Sequence, residues 1–139
     1  MLAGNYIITT DAEQNRNLLS IKKVLDYISA HYREPLSVKE LSGLSNYSEF
    51  YFMKLFKQYT GKTAAAYLND YRLEKAKSLL LHTDASVTDI ALDVGFNKYQ
   101  LFYKKISGGQ TSFPLTNFAK KCHNRTVLLY FFFHLHMLI

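Results

Sequence analysis

Two lysines stand at matching places in two similar stretches of this chain, and both are suited to binding anionic groups. Lys54 closes the stretch Phe52-Met-Lys54, and 50 residues later Lys104 closes Phe102-Tyr-Lys104. A lysine ammonium carries three N–H donors and a full positive charge, so it binds phosphate oxygens and other acceptors. The whole chain has 17 Lys and Arg against 11 Asp and Glu, a net charge of +6. That balance favours a polyanionic partner.

The histidines and the cysteine do not form a recognisable catalytic or metal-binding pattern. The histidines lack the HExxH spacing of zinc enzymes, and the chain has no glycine-rich phosphate loop. His134 and His136 are separated by one residue, and Cys122 stands beside His123. Adjacency in sequence does not orient a base towards a nucleophile. The sequence therefore predicts that the protein is not an enzyme and uses neither a metal nor a cofactor.

The cysteine count and the two ends of the chain indicate the compartment. One cysteine excludes an intrachain disulfide framework and a multi-cysteine zinc site, and it fits a reducing cytosol. The first residues lack the basic and apolar regions of a secretory signal. The longest apolar run, residues 127–139, has 13 residues, whereas a spanning helix needs about 20. We therefore expect a cytoplasmic protein with no membrane association.

Hydrophobic spacing and capping residues predict two helices at the start of the chain. Apolar residues at intervals of three and four mark an amphipathic helix that ends before Pro35: Leu18, Ile21, Val24, Leu25, Ile28 and Tyr32. Ser37 and Glu40 then form a capping box, in which each side chain accepts from the other residue's backbone N–H. The short helix that follows is expected to end in a turn at Gly43.

A third helix and a long fourth helix follow. Ser48 begins the third, with Phe52 and Phe56 on its apolar side, and Gly61 ends it. Residues 63–81 are rich in alanine, leucine, lysine and glutamate, which are strong helix formers. A helix of that length measures roughly 27–30 Å.

The short capped helix and the aromatic-rich helix that follows it then occur a second time. Ser86-Val-Thr-Asp89 repeats Ser37-Val-Lys-Glu40 after 49 residues, and Gly95 provides a second turn where Gly43 provides the first. A capped helix, a turn and an aromatic-rich helix with a lysine at the same offset form one repeated unit. Two short helices joined by a tight turn are the helix-turn-helix unit, whose second helix enters the major groove of DNA.

The predicted fold is all-α, with about seven helices in two helix-turn-helix subdomains joined by the long helix. Groove segments on one side of B-DNA are about 34 Å apart, close to the length of that connector. One chain could then read two adjacent major-groove segments. The predicted division of the chain is a lead-in at 1–17, a first subdomain at 18–62, the linker helix at 63–81, a second subdomain at 82–106 and an atypical tail at 107–139.

This ordered series of motifs resembles the DNA-binding domain of the AraC/XylS family of bacterial transcription regulators. The resemblance covers about residues 18–105 and rests on Leu36-Ser-Val-x-x-Leu41-Ser42, Ser48, Phe52-x-Lys54-x-Phe56-Lys57, Gly61, Tyr67-Leu68-x-x-x-Arg72-Leu73-x-x-Ala76-x-x-Leu79-Leu80, Ile90-Ala91-x-x-x-Gly95-Phe96 and Phe102-x-Lys104. The family usually has arginine where Lys54 and Lys104 stand. Lysine keeps the charge but lacks the bidentate fork of arginine.

The resemblance implies a homeodomain-like fold in which exposed residues of two recognition helices contact double-stranded DNA. By position, the contacts are Ser48, Glu49, Phe50, Met53, Lys54, Lys57, Lys98, Tyr99, Gln100, Tyr103 and Lys104. Gln100 can pair with adenine, and Phe50 or Met53 can contact a thymine methyl group. Three lysines suit phosphate contacts, which fix register without reading sequence: Lys57, Lys62 and Lys105.

The same resemblance implies further roles and partners. Phe52, Phe56, Phe96 and Phe102 belong to the core, and Arg72 is structural because its helix is the connector. RNA polymerase is the implied protein partner, and binding as a monomer is compatible with two reading units in one chain. Only 17 residues precede the first predicted helix, so we expect no small-molecule effector site within this chain.

Two alternatives stay open at this point. One is a helical protein-interaction module that does not bind DNA. The other is a truncated or frameshifted, inactive remnant of a regulator, because residues 106–139 contain no acidic residue and end in VLLYFFFHLHMLI. From Ile106 onward, codon degeneracy permits a shifted frame to encode the basic pair, Ser-Pro and Phe-Arg with which the family usually ends.

Overall fold

The computed structural model of the chain describes residues 10–107, and for Tyr99, Gln100, Tyr103 and Ser107 it describes the backbone alone. Over this range the structure is helical and contains no strand. The helices are α1 (Asp11–His31), α2 (Val38–Ser45), α3 (Glu49–Thr60), α4 (Ala64–His82), α5 (Val87–Asp93) and α6 (Tyr99–Ser107). The all-α prediction is confirmed. The seventh expected helix, the tail at 107–139 and the frameshift hypothesis lie outside the described residues.

The chain divides into two compact units, Met1–Arg72 and Leu73–Ile139. The division falls inside α4, so each unit contains one part of the predicted linker helix. The first unit is built from α1, α2, α3 and the first turns of α4. The second contains the remaining turns of α4 together with α5 and α6.

The first helix begins earlier than the apolar pattern predicted. α1 starts at Asp11, before the predicted start at Leu18. The Thr10 hydroxyl oxygen accepts from the Glu13 N–H at 3.4 Å, and two acidic residues lie in the first turn, near the positive end of the helix. The interpretation of residues 1–17 as a lead-in is therefore wrong from residue 11 onward.

The buried face of α1 also differs from the predicted stripe. Ile21 and Ile28 are buried as expected, whereas Leu18 is 53% exposed. Asn17 is buried in its place, and its Oδ1 accepts from the Tyr47 hydroxyl at 2.6 Å. Burial of a polar amide requires such a partner. Apolar spacing within α1 could not reveal a partner 30 residues away.

The predicted capping box at the start of α2 is half correct. The Ser37 hydroxyl oxygen accepts from the Glu40 N–H at 3.1 Å, as predicted. The Glu40 carboxylate does not make the return contact predicted for it, because it accepts from the Tyr27 hydroxyl at 2.6 Å. That hydrogen bond raises the pKa of Tyr27. Glu40 therefore ties α2 to α1 instead of closing its own cap.

The turn after α2 is made by a residue other than the predicted glycine. Gly43 lies inside α2, and the backbone turns at Asn46, which has φ 58°. In the second unit Gly95 turns the chain with φ 97°, as predicted, and it lies 49 residues after Asn46. Asparagine and glycine are the residues that adopt left-handed conformations most readily. The true equivalent of Gly95 in the first unit is therefore Asn46.

The core of the first unit forms where α1, α2 and α3 meet the start of α4. Phe52 and Phe56 are fully buried, as predicted, and their ring centroids lie 5.6 Å apart. Tyr67 of α4 packs its ring edge-on to Phe56 at 5.7 Å. The buried members of this cluster are Ile21, Val24, Ile28, Leu41, Phe52, Leu55, Phe56, Ala64 and Leu68.

Arg72 fastens α4 to the segment that follows α1. Its side chain is buried, its Nε donates to the Tyr32 carbonyl oxygen at 2.6 Å, and its Nη2 donates to the Glu34 carbonyl oxygen at 2.7 Å. Burial lowers the pKa of Arg72, but a guanidinium still carries its charge at neutral pH. The expected structural role of Arg72 is therefore confirmed.

The second unit repeats the capped helix and the aromatic core on a smaller scale. The Ser86 hydroxyl oxygen accepts from the Asp89 N–H at 3.1 Å. Phe96 and Phe102 are buried, as predicted, with ring centroids 5.3 Å apart. The other buried apolar residues of this unit are Leu73, Ala76, Leu80, Val87, Ile90, Ala91, Val94 and Ile106.

Candidate nucleic-acid interface

Helix α3 has one face in the core and one face in solvent. The Ser48 hydroxyl oxygen caps it by accepting from the Tyr51 N–H at 3.3 Å, and Gly61, with φ 77°, ends it. Residues 52, 55 and 56 are buried. The opposite face carries a stripe at spacings of three, four and seven, which we call the α3 stripe: Phe50, Met53, Lys54 and Lys57.

The N-terminal part of the α3 stripe is apolar and its C-terminal part is cationic. The side chain of Phe50 is 66% exposed and that of Met53 is 47% exposed. The Lys54 ammonium lies over the Phe50 ring, 4.6 Å from its centroid. A cation at this distance from an aromatic face is attracted by the ring quadrupole. Phe50 therefore holds Lys54 close to the exposed helix surface.

Ser48 and Glu49 lie at the N-terminus of α3. The Ser48 oxygen already accepts a backbone N–H, so the hydroxyl proton is its remaining hydrogen-bonding group. Glu49 is exposed in the first helical turn, where its charge complements the helix dipole. Both of these predicted contact residues therefore have a part in stabilising α3 itself.

Lys62 differs from the other lysines of the first unit because it has an anionic partner. Its Nζ lies 2.6 Å from an Asp70 carboxylate oxygen, and both side chains are partly exposed. The hydrogen bond to Asp70 raises the pKa of Lys62. A phosphate group must therefore compete with Asp70 for this ammonium. We accordingly expect Lys62 to be a weaker phosphate contact than Lys54 or Lys57.

In the second unit, α6 occupies the place of α3. Lys98 immediately precedes α6, just as Ser48 precedes α3, and both Lys98 and Lys104 are exposed. Lys105 is half-buried, and Leu101 is 45% exposed. The side chains of three further predicted contact residues lie outside the described part of the chain: Tyr99, Gln100 and Tyr103.

Sequence reasoning missed two features of this interface. The contact between Phe50 and Lys54 could have been found, because residues four apart on a helix are neighbours. The ion pair of Lys62 with Asp70 had no comparable signal, because the two residues flank the start of α4. Their contact depends on the backbone conformation between the end of α3 and the start of α4.

The described residues do not include a group of three or more His, Cys, Asp or Glu side chains that could hold a metal ion. Over the same range, no helix combines the length with the hydropathy that crossing a bilayer requires.

A helix, a left-handed turn and a second helix with an exposed face occur in both units, and they define the helix-turn-helix class. The sequence matches the helix-turn-helix domain family over residues 41–107. The chain belongs to the AraC-type family of these domains, which is found in transcriptional regulators.

Solved structures and curated proteins support this assignment. The C-terminal domain of the two-component response regulator yesN from Fusobacterium nucleatum is 30% identical, with a TM-score of 0.60 over 66% of this chain and 96% of that domain. An AraC-type transcriptional regulator from Chromobacterium violaceum has a TM-score of 0.65 and 25% identity, over 76% of this chain and 95% of that chain. The regulatory protein PocR of Salmonella typhimurium is 38% identical over 84 residues, which are 60% of this chain.

The curated relatives are considerably longer proteins. The matched region spans 28% of PocR and 33% of the regulator YdeC of Bacillus subtilis. The similarity to these proteins therefore concerns one domain of each.

Proposed function

We propose that this chain binds duplex DNA sequence-specifically in order to regulate transcription, and that α3 and α6 each enter a major-groove segment. The observation that carries the proposal is the α3 stripe, a helix face with two large apolar side chains and two lysines in solvent. The repeat brings Lys104 to the position of Lys54 in the second unit. Apolar side chains read thymine methyl groups, and lysines read guanine.

The remaining cations have a separate part in this proposal. Lys57, Lys98 and Lys105 contact phosphates and fix the register of the protein without reading bases. Lys62 is engaged by Asp70. The three phosphate lysines neutralise three phosphates. Each neutralised phosphate makes the slope of log K against log salt more negative by about 0.9, so the proposal expects a slope of roughly −3.

Alanine replacement of Lys54 or Lys104 tests this function. Each change should weaken binding by about tenfold, because a base contact contributes roughly 1–3 kcal/mol of discrimination. Each should also remove footprint protection from its own half of a duplex selected from a random-sequence library. The matched control is Lys23→Ala, which removes the same charge from an exposed position on α1.

Two results, one in the salt slope and one in the footprint, would contradict parts of this proposal. A salt slope near zero would favour the helical protein-interaction module. If both variants weakened every duplex equally and kept the whole footprint, Lys54 and Lys104 would be phosphate contacts only. RNA polymerase as a partner and monomeric binding on DNA belong to the same proposal. Co-purification with the polymerase and sedimentation of the DNA complex test them.

Asp70→Asn should strengthen DNA binding severalfold and make the salt slope steeper by up to about 0.9, because the substitution releases Lys62 for one more phosphate. Fluorescence anisotropy of a labelled duplex at several salt concentrations measures both quantities. The control is Asp26→Asn, which changes the net charge equally at an exposed site on α1. Equal gains from the two variants would show an effect of overall charge and would contradict the role of the ion pair.

A further inference from the structure

Asn17 is a buried polar residue on the apolar face of α1. Its side chain is 1% exposed, and it lies one turn before the buried Ile21, where the helical spacing suits an apolar residue. Its Nδ2 has no hydrogen-bond partner among the residues that the structure describes. A buried donor without a partner lowers stability. A contribution to stability alone therefore does not account for an asparagine at this position.

The carbonyl side of the Asn17 amide bonds to the segment that leads into α3. Its Oδ1 accepts from the Tyr47 hydroxyl at 2.6 Å. Tyr47 lies between the left-handed residue Asn46 and Ser48, the cap of α3. The Tyr47 ring packs edge-on against Tyr51 in the first turn of α3, with centroids 4.9 Å apart. Asn17 is therefore connected, through one side chain, to the place where the chain changes direction between α2 and α3.

The other end of α3 also hydrogen-bonds to α1 through a tyrosine. The Tyr59 hydroxyl, in the last turn of α3, donates to the Gln14 carbonyl oxygen at 3.2 Å. Gln14 and Asn17 lie about one turn apart on α1. The early turns of α1 thus accept one hydroxyl from beside each end of α3. Hydrogen bonds are directional, whereas apolar packing is not, so these two contacts restrict the orientation of α3.

We propose that Asn17 is a positioning residue, which sets the orientation of α3 through the Tyr47 hydroxyl and thereby aligns the α3 stripe with DNA. This inference rests on the proposed function. A small rotation of α3 would misalign its directional contacts to base edges. The lysines would still neutralise phosphates, because that attraction is electrostatic and independent of sequence. Loss of the Asn17 contact should therefore reduce specific binding and leave non-specific binding intact.

An apolar pair at the two positions separates positioning from stability. Asn17→Leu removes the amide and keeps a side chain of the same branching, and Tyr47→Phe removes the hydroxyl alone. The double variant has no polar group left unpaired at this contact, so it should melt at a temperature no lower than that of the unchanged chain. Circular dichroism melts measure this. A lower melting temperature of the double variant would mean that the contact serves stability, and would overturn the proposal.

The DNA binding of these variants is the second measurement. A duplex is selected from a random-sequence library with the unchanged chain, and fluorescence anisotropy compares it with an unrelated duplex. Each single variant and the double variant should bind the selected duplex about tenfold more weakly, the loss that corresponds to one misaligned base contact. The losses should not add, because either change breaks the same hydrogen bond. Binding to the unrelated duplex and the salt slope should stay the same.

Two control variants match these changes in chemistry. Asn15→Leu makes the same substitution at an exposed position of α1. Tyr27→Phe removes a hydroxyl that joins α1 to α2, through Glu40, and does not involve α3. Neither should change binding to the selected duplex by more than about twofold. If Tyr27→Phe weakened specific binding as much as Tyr47→Phe, the loss of any hydrogen bond between helices would suffice, and the proposal would be wrong.

The remaining outcomes distinguish this inference from the proposed function. If the double variant bound the selected duplex as tightly as the unchanged chain does, the positioning role would be overturned and the proposed function would stand. Equal losses on the selected and the unrelated duplex would also overturn the positioning role. If the unchanged chain selected no preferred sequence and showed a salt slope near zero, the proposed function would fall together with the inference.

Discussion

Replacing Arg72 by methionine should lower the free energy of unfolding by about 3 kcal/mol, because two hydrogen bonds from a charged, buried donor to partly buried carbonyl groups are lost. Those groups are the carbonyls of Tyr32 and Glu34, at 2.6 and 2.7 Å from the guanidinium nitrogens. Methionine preserves most of the volume of the side-chain stem, so the lost hydrogen bonds dominate the effect. Urea unfolding of the full chain, followed by circular dichroism, measures the change.

The matched control for Arg72 is Arg16→Met. Arg16 is an exposed arginine of α1, and its replacement removes the same charge from the same unit. We expect that change to stay within about 0.5 kcal/mol. If the two variants had equal effects, the net charge of the unit rather than the two carbonyl contacts would account for the loss. Arg72→Lys should recover only part of the stability, because an ammonium lacks the planar fork that serves both carbonyls.

Replacing Phe102 by alanine should destabilise the second unit by about 3–5 kcal/mol, the range for truncating a buried aromatic residue. Phe102 is fully buried and packs on Phe96. A loss of that size is a large part of the stability of a small unit. Hydrogen exchange should therefore show lost protection in α5 and α6 while the amides of α3 stay protected. On a selected duplex, the half-site footprint of the second unit should disappear.

The neighbouring residue supplies the control for Phe102. Leu101 is 45% exposed, so Leu101→Ala should cost less than about 1 kcal/mol. Equal loss of protection throughout both units in Phe102→Ala would contradict the division into two compact units. Unchanged protection in α6 would contradict the assignment of Phe102 to the core.

The features predicted correctly are those fixed by short stretches of sequence. Ser37, Ser48 and Ser86 each cap a helix, because a hydroxyl and the N–H three residues later meet whenever a helix starts there. The burial of Phe52 and Phe102 likewise follows from apolar spacing within one helix. Local geometry alone was sufficient in these cases.

The features predicted wrongly depend on partners that are distant in sequence or on backbone angles. Asn17 is buried, and its Oδ1 accepts a hydrogen bond from the Tyr47 hydroxyl. The buried face of α1 therefore includes Asn17 and leaves Leu18 exposed. The turn predicted at Gly43 forms at Asn46 in a left-handed conformation, because α2 continues to Ser45. The Lys62–Asp70 pair forms where the chain passes from α3 into α4. Composition and periodicity within a single helix contain no information on these contacts.

The residues before α3 and α6 have a consequence for how readily each helix end frays. Ser48 gives α3 a side-chain acceptor, whereas the lysine at the equivalent position 98 has no side-chain acceptor to offer α6. A side-chain cap contributes about 1 kcal/mol to the start of a helix. We therefore expect the amides in the first turn of α6 to exchange with solvent faster than those in the first turn of α3.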